Sequence, residues 1–467
     1  MIGIPHLDHL NYRSGEACHG LVASKLRSDW EEMVVQRLLR TTLLAVLVGL
    51  HLTTAAQAQI LYSLTDLGVL PGGDLSRAAA INNAGQVTGD AGITTDIPPD
   101  LRAYRWQSGV MSLIGTPPTS LVPGSGGTFS AGRGINASGQ IAGVTNQLIG
   151  SDLYTRAFFF NGTTMAFIPT LPGGSTNVAN DLNASGVVVG YSNLDPDPVV
   201  TPYDAFRWDS ATNTLTALPR FYASASFTIA YGINSSGRIV GTGEFNSDGL
   251  QRAFRWDTGN PTLTAIPVLP PFNGVDDPNT FNNFANRVND SGNVVGLSDV
   301  SDFIGTSIFR QHAFLYLSAT NTLIDIGTLG GNLGEARGIN SFNEVVGFSN
   351  LVDDGPDRAF LYTQAGGIVD LNTLLDGTGA GWTLLRAEGI NDDGWIVGFG
   401  LDPNGDIHAY LLRPQAIPEP ATWALIGTFS AAVAARAWHR RREAQLVQEE
   451  SGCWMLAKSP PSSSDAA

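Results

Sequence analysis

Lysine is absent between Gln59 and Pro420, a stretch that carries 16 arginines and 33 acidic residues. The whole chain of 467 residues has a formal net charge of −16. So acidic a body is repelled by nucleic acid and by anionic membrane surfaces, which removes both as partners. Its natural counterparts are divalent cations or basic groups. Cysteine is nearly missing as well: Cys18 and Cys453 both fall outside this stretch, so no disulfide staples it. A body this large does not need one, because it can bury a sufficient core. Only two histidines, His312 and His408, lie within it. Zinc sites and Ser-His-Asp chemistry therefore have few candidates. Helical periodicity is missing too.

What is present is a phrase close to Gly-Ile-Asn-x-x-Gly-x-Val-Val-Gly, repeated seven times. Its asparagine falls at Asn82, Asn136, Asn183, Asn234, Asn289, Asn340 and Asn391, with gaps of 54, 47, 51, 55, 51 and 51 residues. A glycine follows at +3 in every copy but one, where Asn343 replaces it, and another follows at +7 in all. A period near 50 built of short apolar segments and glycine turns is the signature of propeller blades. In the fourth unit the strand-like segments are Ala205 to Trp208, Thr214 to Leu218, Ile229 to Asn234 and Arg238 to Gly241. They are rich in β-branched and aromatic residues, with Gly, Asn, Asp and Pro between them. The Asn side-chain oxygen can cap the tight turn, and Gly supplies the positive φ that follows. Asn343 suits the same position, since Asn tolerates the left-handed region best among non-glycine residues. Asn136 and Asn234 also match the glycosylation sequon, but turn chemistry accounts for all seven asparagines.

An Ala-aromatic strand recurs at Ala103, Ala157, Ala205, Ala253, Ala313, Ala359 and Ala409. The first unit has none at its start and opens instead with Tyr62-Ser63-Leu64-Thr65-Asp66. The copy left over, around Ala409, sits at the far end. A ring explains the offset, because the terminal strand then completes the blade begun at the N-terminus. The expected fold is an all-β, seven-bladed β-propeller closed by N- and C-terminal strands sharing one blade. An open solenoid is the alternative, and should show atypical capping repeats at both ends.

Segments such as His312-Ala313-Phe314-Leu315-Tyr316 and Arg358-Ala359-Phe360-Leu361-Tyr362, each ahead of a Leu-Gly-Gly or Asp-Leu-Asn step and a Gly-Ile-Asn turn, resemble the HAF family of extracellular repeats. The resemblance covers nearly all of residues 60 to 414. It implies an extracellular location and little about mechanism.

The ends read separately. Arg37-Leu38-Leu39-Arg40, an apolar run from Leu43 to Leu52, and Ala56-Gln57-Ala58 describe a secretory signal peptide over 33–58, cleaved before Gln59. Its signal helix would start at Met33, which leaves 1–32 as a disordered or non-native extension. At the other end, Pro418-Glu419-Pro420 leads into an apolar stretch reaching Ala435, then Arg436, Arg440, Arg441 and Arg442. This tail, over 416–442, resembles a PEP-CTERM sorting signal, which implies recognition by an exosortase with cleavage near the Pro-Glu-Pro triplet. An apolar run of roughly 17 residues is the lower limit for a transmembrane helix, and the arginines would hold its far end in the cytoplasm. The polar extension 443–467 departs from that family pattern and reads as disordered.

Within the body, 59–415, candidate sites are few. His312 and His408 share one repeat position with Arg102, Arg156, Arg252 and Arg358, which marks scaffold. No cofactor is expected. Calcium is the one metal worth weighing, at Asp195-Pro196-Asp197, Asp276-Asp277 and Asp353-Asp354 with Asp357, although such runs are ordinarily solvated loop tips. Trp106, Trp208 and Trp256 recur at one strand end and read as packing; Trp382 and Trp395 are candidates for an exposed aromatic platform, with packing the stronger reading. Function is expected in the insertions of unequal length at 93–101, 117–128, 270–280 and 299–307. The reading is an exported, exosortase-sorted binding or structural module of the cell surface or matrix, not an enzyme, with polysaccharide or envelope components as partners. The alternative is a carboxylate-based glycan hydrolase or lyase on the same frame.

Overall fold

The computed structural model describes residues 37, 60–94, 100–115, 129–149, 152–195, 202–247, 249–270, 281–300, 310–415, 435–438, 440 and 441. Residues Ile60–Gln415 form one compact unit, and Met1–Gln59 with Ala416–Ala467 form another. In the second unit the described residues, which include Arg436, Arg440 and Arg441, are helical and exposed. Ala56, Ala58, Gln59, Pro418, Glu419, Pro420, Arg442 and the apolar run before Ala435 lie outside the described residues. Among the described residues no helix is long and apolar enough to cross a membrane.

The unit Ile60–Gln415 is all-β. Among the described residues its strands form five four-stranded antiparallel sheets and one of eight strands. The larger sheet is two four-stranded units joined by a single parallel pairing, Gln311 with Leu333. Within a sheet, strands pair in sequence order. Asn177–Leu182 pairs with Val187–Asn193, that strand with Tyr203–Asp209, and that one with Thr214–Ala217. Short apolar segments separated by tight turns can pair in no simpler way than with their nearest neighbours. One sheet is different. Leu61–Asp66 lies antiparallel to Ile407–Gln415, with Leu61 opposite Gln415 and Asp66 opposite Tyr410, and Ile407–Gln415 continues to Ile396–Leu401 and Thr383–Ile390. The two ends of the unit thus share a sheet.

Each asparagine turn joins the two strands on either side of it in the chain, as Asn183 joins Asn177–Leu182 to Val187–Asn193 and Asn391 joins Thr383–Ile390 to Ile396–Leu401. Asn136 Oδ1 accepts from the backbone N–H of Ser138 at 3.1 Å and of Gln140 at 3.0 Å, which is the expected cap. The amide nitrogen has a second task. Asn82 Nδ2 donates to Asn136 O, Asn136 to Asn183 O, Asn183 to Asn234 O, Asn234 to Asn289 O, Asn289 to Asn340 O and Asn340 to Asn391 O, at 2.9–3.3 Å. Asn391 Nδ2 then donates to Asn82 O at 3.2 Å, and the series is a closed cycle. All seven side chains are buried, which leaves Asn136 and Asn234 no room to carry a glycan. Asn343, at φ 62, fills the left-handed position as expected, and its Oδ1 also accepts from Asn289 Nδ2 and Asn293 Nδ2.

The glycine at +7 has its own cause. Gly241 faces Phe254 across the second and third strands. A Cβ on Gly241 would lie 1.9 Å from the carbonyl oxygen of Ile229 on the first strand, and the other six repeats have the same clash. Only hydrogen fits there. The aromatic opposite is fully buried in every repeat: Tyr104, Phe158, Phe206, Phe254, Phe314, Phe360 and Tyr410. Its preceding alanine bonds across to the next sheet, as when Ala157 N donates to Asn177 Oδ1 at 2.8 Å and Ala409 N donates to Ser76 Oγ at 2.9 Å.

The apolar core lies between consecutive sheets. One cluster joins Ala142, Phe159 and Ile168 to Ala179, Val188 and Trp208, with Phe159 and Trp208 edge-on at 5.4 Å. Another joins Val87 and Trp106 of an early sheet to Val397 and Leu411 of the last. Trp106, Trp208 and Trp256 are all buried, as expected of packing residues. Trp395 packs into that second cluster beneath Arg413, and Trp382 packs against the cluster around Tyr62 and Leu384. Neither forms an open platform.

Candidate functional site

In each repeat the strand that runs into the turn asparagine contains a β-bulge three residues before it. The register slips between Ala78 and Ala80, Gly132 and Gly134, Ala179 and Asp181, Ala230 and Gly232, Ala285 and Arg287, Ala336 and Gly338, and Ala387 and Gly389. A bulge leaves one residue out of the ladder and turns its side chain aside. The residues so released are Ala79, Arg133, Asn180, Tyr231, Asn286, Arg337 and Glu388. All seven line one cavity of about 440 Å³. The strands that carry them are held by the close approach at the +7 glycines and by the asparagine cycle, and Arg77, Asp90, Arg287 and Phe399 are among the other residues that complete the lining.

Sequence reasoning missed these residues. Their signal is weak: this position changes between Ala, Arg, Asn, Tyr and Glu, but its neighbours vary as well, with Asp181 and Arg287 one step on and Arg77, Phe284 and Glu335 two steps back. The asparagines singled out in the sequence form the scaffold one step further along each strand.

The cavity groups are wired together. Arg337 donates from Nε to Glu388 Oε2 and from Nη1 to Glu335 Oε1, each at 2.9 Å. Those two carboxylates outweigh its desolvation and hold its pKa above the ordinary arginine value. Arg133 differs. Its Nη1 donates to the neutral Asn180 Oδ1 at 2.8 Å, and burial followed by repulsion from Arg337 and Arg287 lowers its pKa, against a contrary pull from Tyr191 and Tyr231. Arg287 donates to the backbone oxygens of Tyr231 at 2.9 Å and Asn286 at 3.1 Å. Asp90 stands 4.0 Å from Arg77, and its Oδ2 is buried without a hydrogen-bond partner. Desolvation raises the Asp90 pKa against the pull of Arg77 and, more weakly, Arg133.

A smaller cavity of about 140 Å³ lies nearer the turns, lined among others by Asp181, Arg287 and Glu388. Asp181 accepts from Leu182 N at 2.9 Å and Ile233 N at 3.1 Å. Burial nevertheless raises its pKa, with Arg287 and those two N–H groups opposing.

Elsewhere the sequence candidates have structural duties. His312 Nδ1 lies 3.0 Å from Asp325, and His408 Nδ1 lies 3.0 Å from Asp66, each pair joining neighbouring strands. Of the aspartates weighed for calcium, Asp354 accepts from Asn332 and Asn350, and Asp357 pairs with Arg386 at 2.9 Å. Asp197, Asp276 and Asp277 lie outside the described residues. Among the described residues no group of three or more His, Cys, Asp or Glu is placed to hold a metal ion. The long insertions lie largely outside the described residues.

No family model and no curated protein matches the chain. Among solved structures it is similar to a GH74 enzyme of Niastella koreensis, 14% identical, TM-score 0.41, covering 73% of this chain and 54% of that one. It is also similar to a putative TolB of Agrobacterium tumefaciens, 12% identical, TM-score 0.34, covering 77% of this chain and 99% of that one. With TolB of Acinetobacter baumannii, 12% identical at TM-score 0.31, the match covers 59% of this chain and spans 63% of that chain's length.

Proposed function

We propose that residues 59–415 form a seven-bladed β-propeller acting as an exported binding module of the cell surface or matrix, and that its ligand sits in the cavity between the first strands. The ring reading is supported by the shared sheet of the two chain ends and by the hydrogen-bond cycle through seven turns. Export and exosortase sorting rest on the sequence at each end, including the Pro418-Glu419-Pro420 triplet and the arginines at 436 and 440–442. The observation that carries the binding reading is the set of seven bulges, each turning the variable residue of its repeat into one cavity. The cavity volume of about 440 Å³ falls in the range of roughly 300–1,000 Å³ used for small ligands, which suits a short sugar or a chain end.

The test is a plug. Ala79→Trp places a large ring at the cavity wall without touching the turn asparagines. Oligosaccharides released from the host's exopolysaccharide should bind the native chain and lose binding to the variant at unchanged melting temperature. Equal binding by both would refute the cavity as the site. Comparing cell fractions with and without the exosortase tests the sorting half; an unchanged distribution would refute it.

A second reading has one observation in its favour. Asp181 is a carboxyl whose pKa is pushed up, and it shares the smaller cavity with Glu388, as a general acid and its partner would. Reducing ends released from the polysaccharide, and lost in Asp181→Asn, would establish hydrolysis.

A further inference from the structure

The large cavity reverses the charge balance of the body around it. Between Gln59 and Pro420 acids outnumber arginines by 33 to 16. Yet Arg77, Arg133, Arg287 and Arg337 line this cavity against only two carboxylates, Asp90 and Glu388. Of the four, Arg337 is the one hydrogen-bonded to carboxylates among the described residues. Arg77 faces Asp90, Arg287 holds two backbone oxygens, and Arg337 bridges two glutamates. Arg133, like Arg287, is bonded only to neutral oxygen: its one side-chain hydrogen bond runs to the Asn180 amide, and it forms no ion pair with a carboxylate of the described residues. A guanidinium offers five N–H donors in a planar fork that matches the two oxygens of a carboxylate. Most of that fork is unspent. Asp90 also lines the cavity, and its Oδ2 is a buried acceptor that receives no donor among the described residues. A desolvated carboxylate oxygen left in that condition costs free energy until a donor reaches it.

We infer that the cavity takes a carboxylate-bearing sugar of the uronic acid type. Its carboxylate pairs side-on with the Arg133 guanidinium, and a ring hydroxyl donates to the Asp90 carboxylate. Such a ligand answers both unmet groups at once. A neutral hexose offers the hydroxyl but nothing to Arg133; inorganic phosphate offers charge with neither the planar fit nor the sugar's hydroxyls. The acidic exterior repels anions elsewhere on the body, so binding is confined to this one place. The inference rests on the reading of the cavity as the binding site.

Calorimetric titration of the full chain with sodium D-glucuronate, D-glucose and sodium phosphate tests it. Glucuronate should bind with one site per chain, and glucose and phosphate at least tenfold more weakly. Arg133→Gln should weaken glucuronate at least tenfold, and Arg133→Lys, which keeps the charge but not the fork, should fall between. Because Arg133 is held by a single neutral partner, both variants should keep the native melting temperature, and the lysine variant serves if the glutamine variant does not fold. Glucose binding as tightly as glucuronate, or Arg133→Gln binding as well as the native chain, would overturn the assignment while leaving the cavity as the site. Phosphate binding tightest would overturn it in favour of a tetrahedral oxyanion. Sugar binding that survives Ala79→Trp would remove the cavity itself, and the inference with it.

Discussion

Asn391 Nδ2 donates to the backbone carbonyl of Asn82 at 3.2 Å across 309 residues of chain. Six identical bonds join consecutive repeats, so this one differs only in the length of chain that separates its partners. Asn391 Oδ1 meanwhile caps its own turn, accepting from Asp393 N at 3.1 Å and Trp395 N at 2.9 Å. One buried amide thus fixes a turn and ties two sheets. Asn391→Ala should cost about 1–3 kcal/mol in chemical denaturation, the usual range for stranding buried backbone groups. Asn391→Asp keeps the cap but loses the donor at neutral pH. A protonated carboxyl can donate again, so its deficit against the native chain should shrink on acidification. A deficit independent of pH would contradict the inter-turn role.

The two glycines of the repeat should respond differently to the same change. Gly237 sits at φ +85, and a methyl added there would meet only Thr258 Oγ1, at 3.3 Å. Gly237→Ala should therefore cost about 1–2 kcal/mol of left-handed strain. Gly241→Ala would drive a methyl into a backbone oxygen at 1.9 Å. That neighbour is part of the sheet and cannot swing away. A loss of about 3 kcal/mol or more, or failure to fold, is expected. Equal melting temperatures for the two variants would rule this out.

Asn343 offers a counterintuitive case. Glycine relieves its positive φ and restores the residue found in the other repeats. Asn343→Gly also strips the acceptor from Asn289 and Asn293. We expect net destabilisation of about 1 kcal/mol; a stabilised variant would mean that φ strain outweighs the two bonds.

Asp181 sets a pH dependence with a defined sign. Its folded pKa is raised, so the stability its proton provides is complete below the ordinary carboxylate value and disappears as pH rises through the folded one. Asp181→Asn removes that dependence. The variant's melting temperature should therefore improve relative to the native chain between acidic and neutral pH, whatever its constant offset from the lost Ile233 bond. A difference that moves the other way would show the carboxylate to be favoured in the fold.

Much of the frame was legible because each repeat restates it. Asn at the turn, Gly at +3 and Gly at +7 mark a cap, a positive φ and a close approach, and the unmatched strand around Ala409 points to its partner at Leu61–Asp66. The asparagine cycle was not legible, since a side chain that caps its own turn gives no sign of a second bond to the next repeat. Nor was the site. Length variation drew attention to the loops, whereas the bulge hides its consequence inside a six-residue strand. Knowing that the residue three before each Asn leaves the ladder requires the register, and only then does its variation between Arg133, Tyr231 and Glu388 acquire a direction.

The antiparallel pairing of Leu61–Asp66 with Ile407–Gln415 has a temporal consequence. A polypeptide that emerges N-terminus first presents its opening strand more than three hundred residues before the companion it needs. Until then that segment is a bare edge, open to the wrong neighbour. Maturation of the body can finish only after Gln415 has emerged, and whatever handles the residues beyond it meets a molecule that has only just become whole.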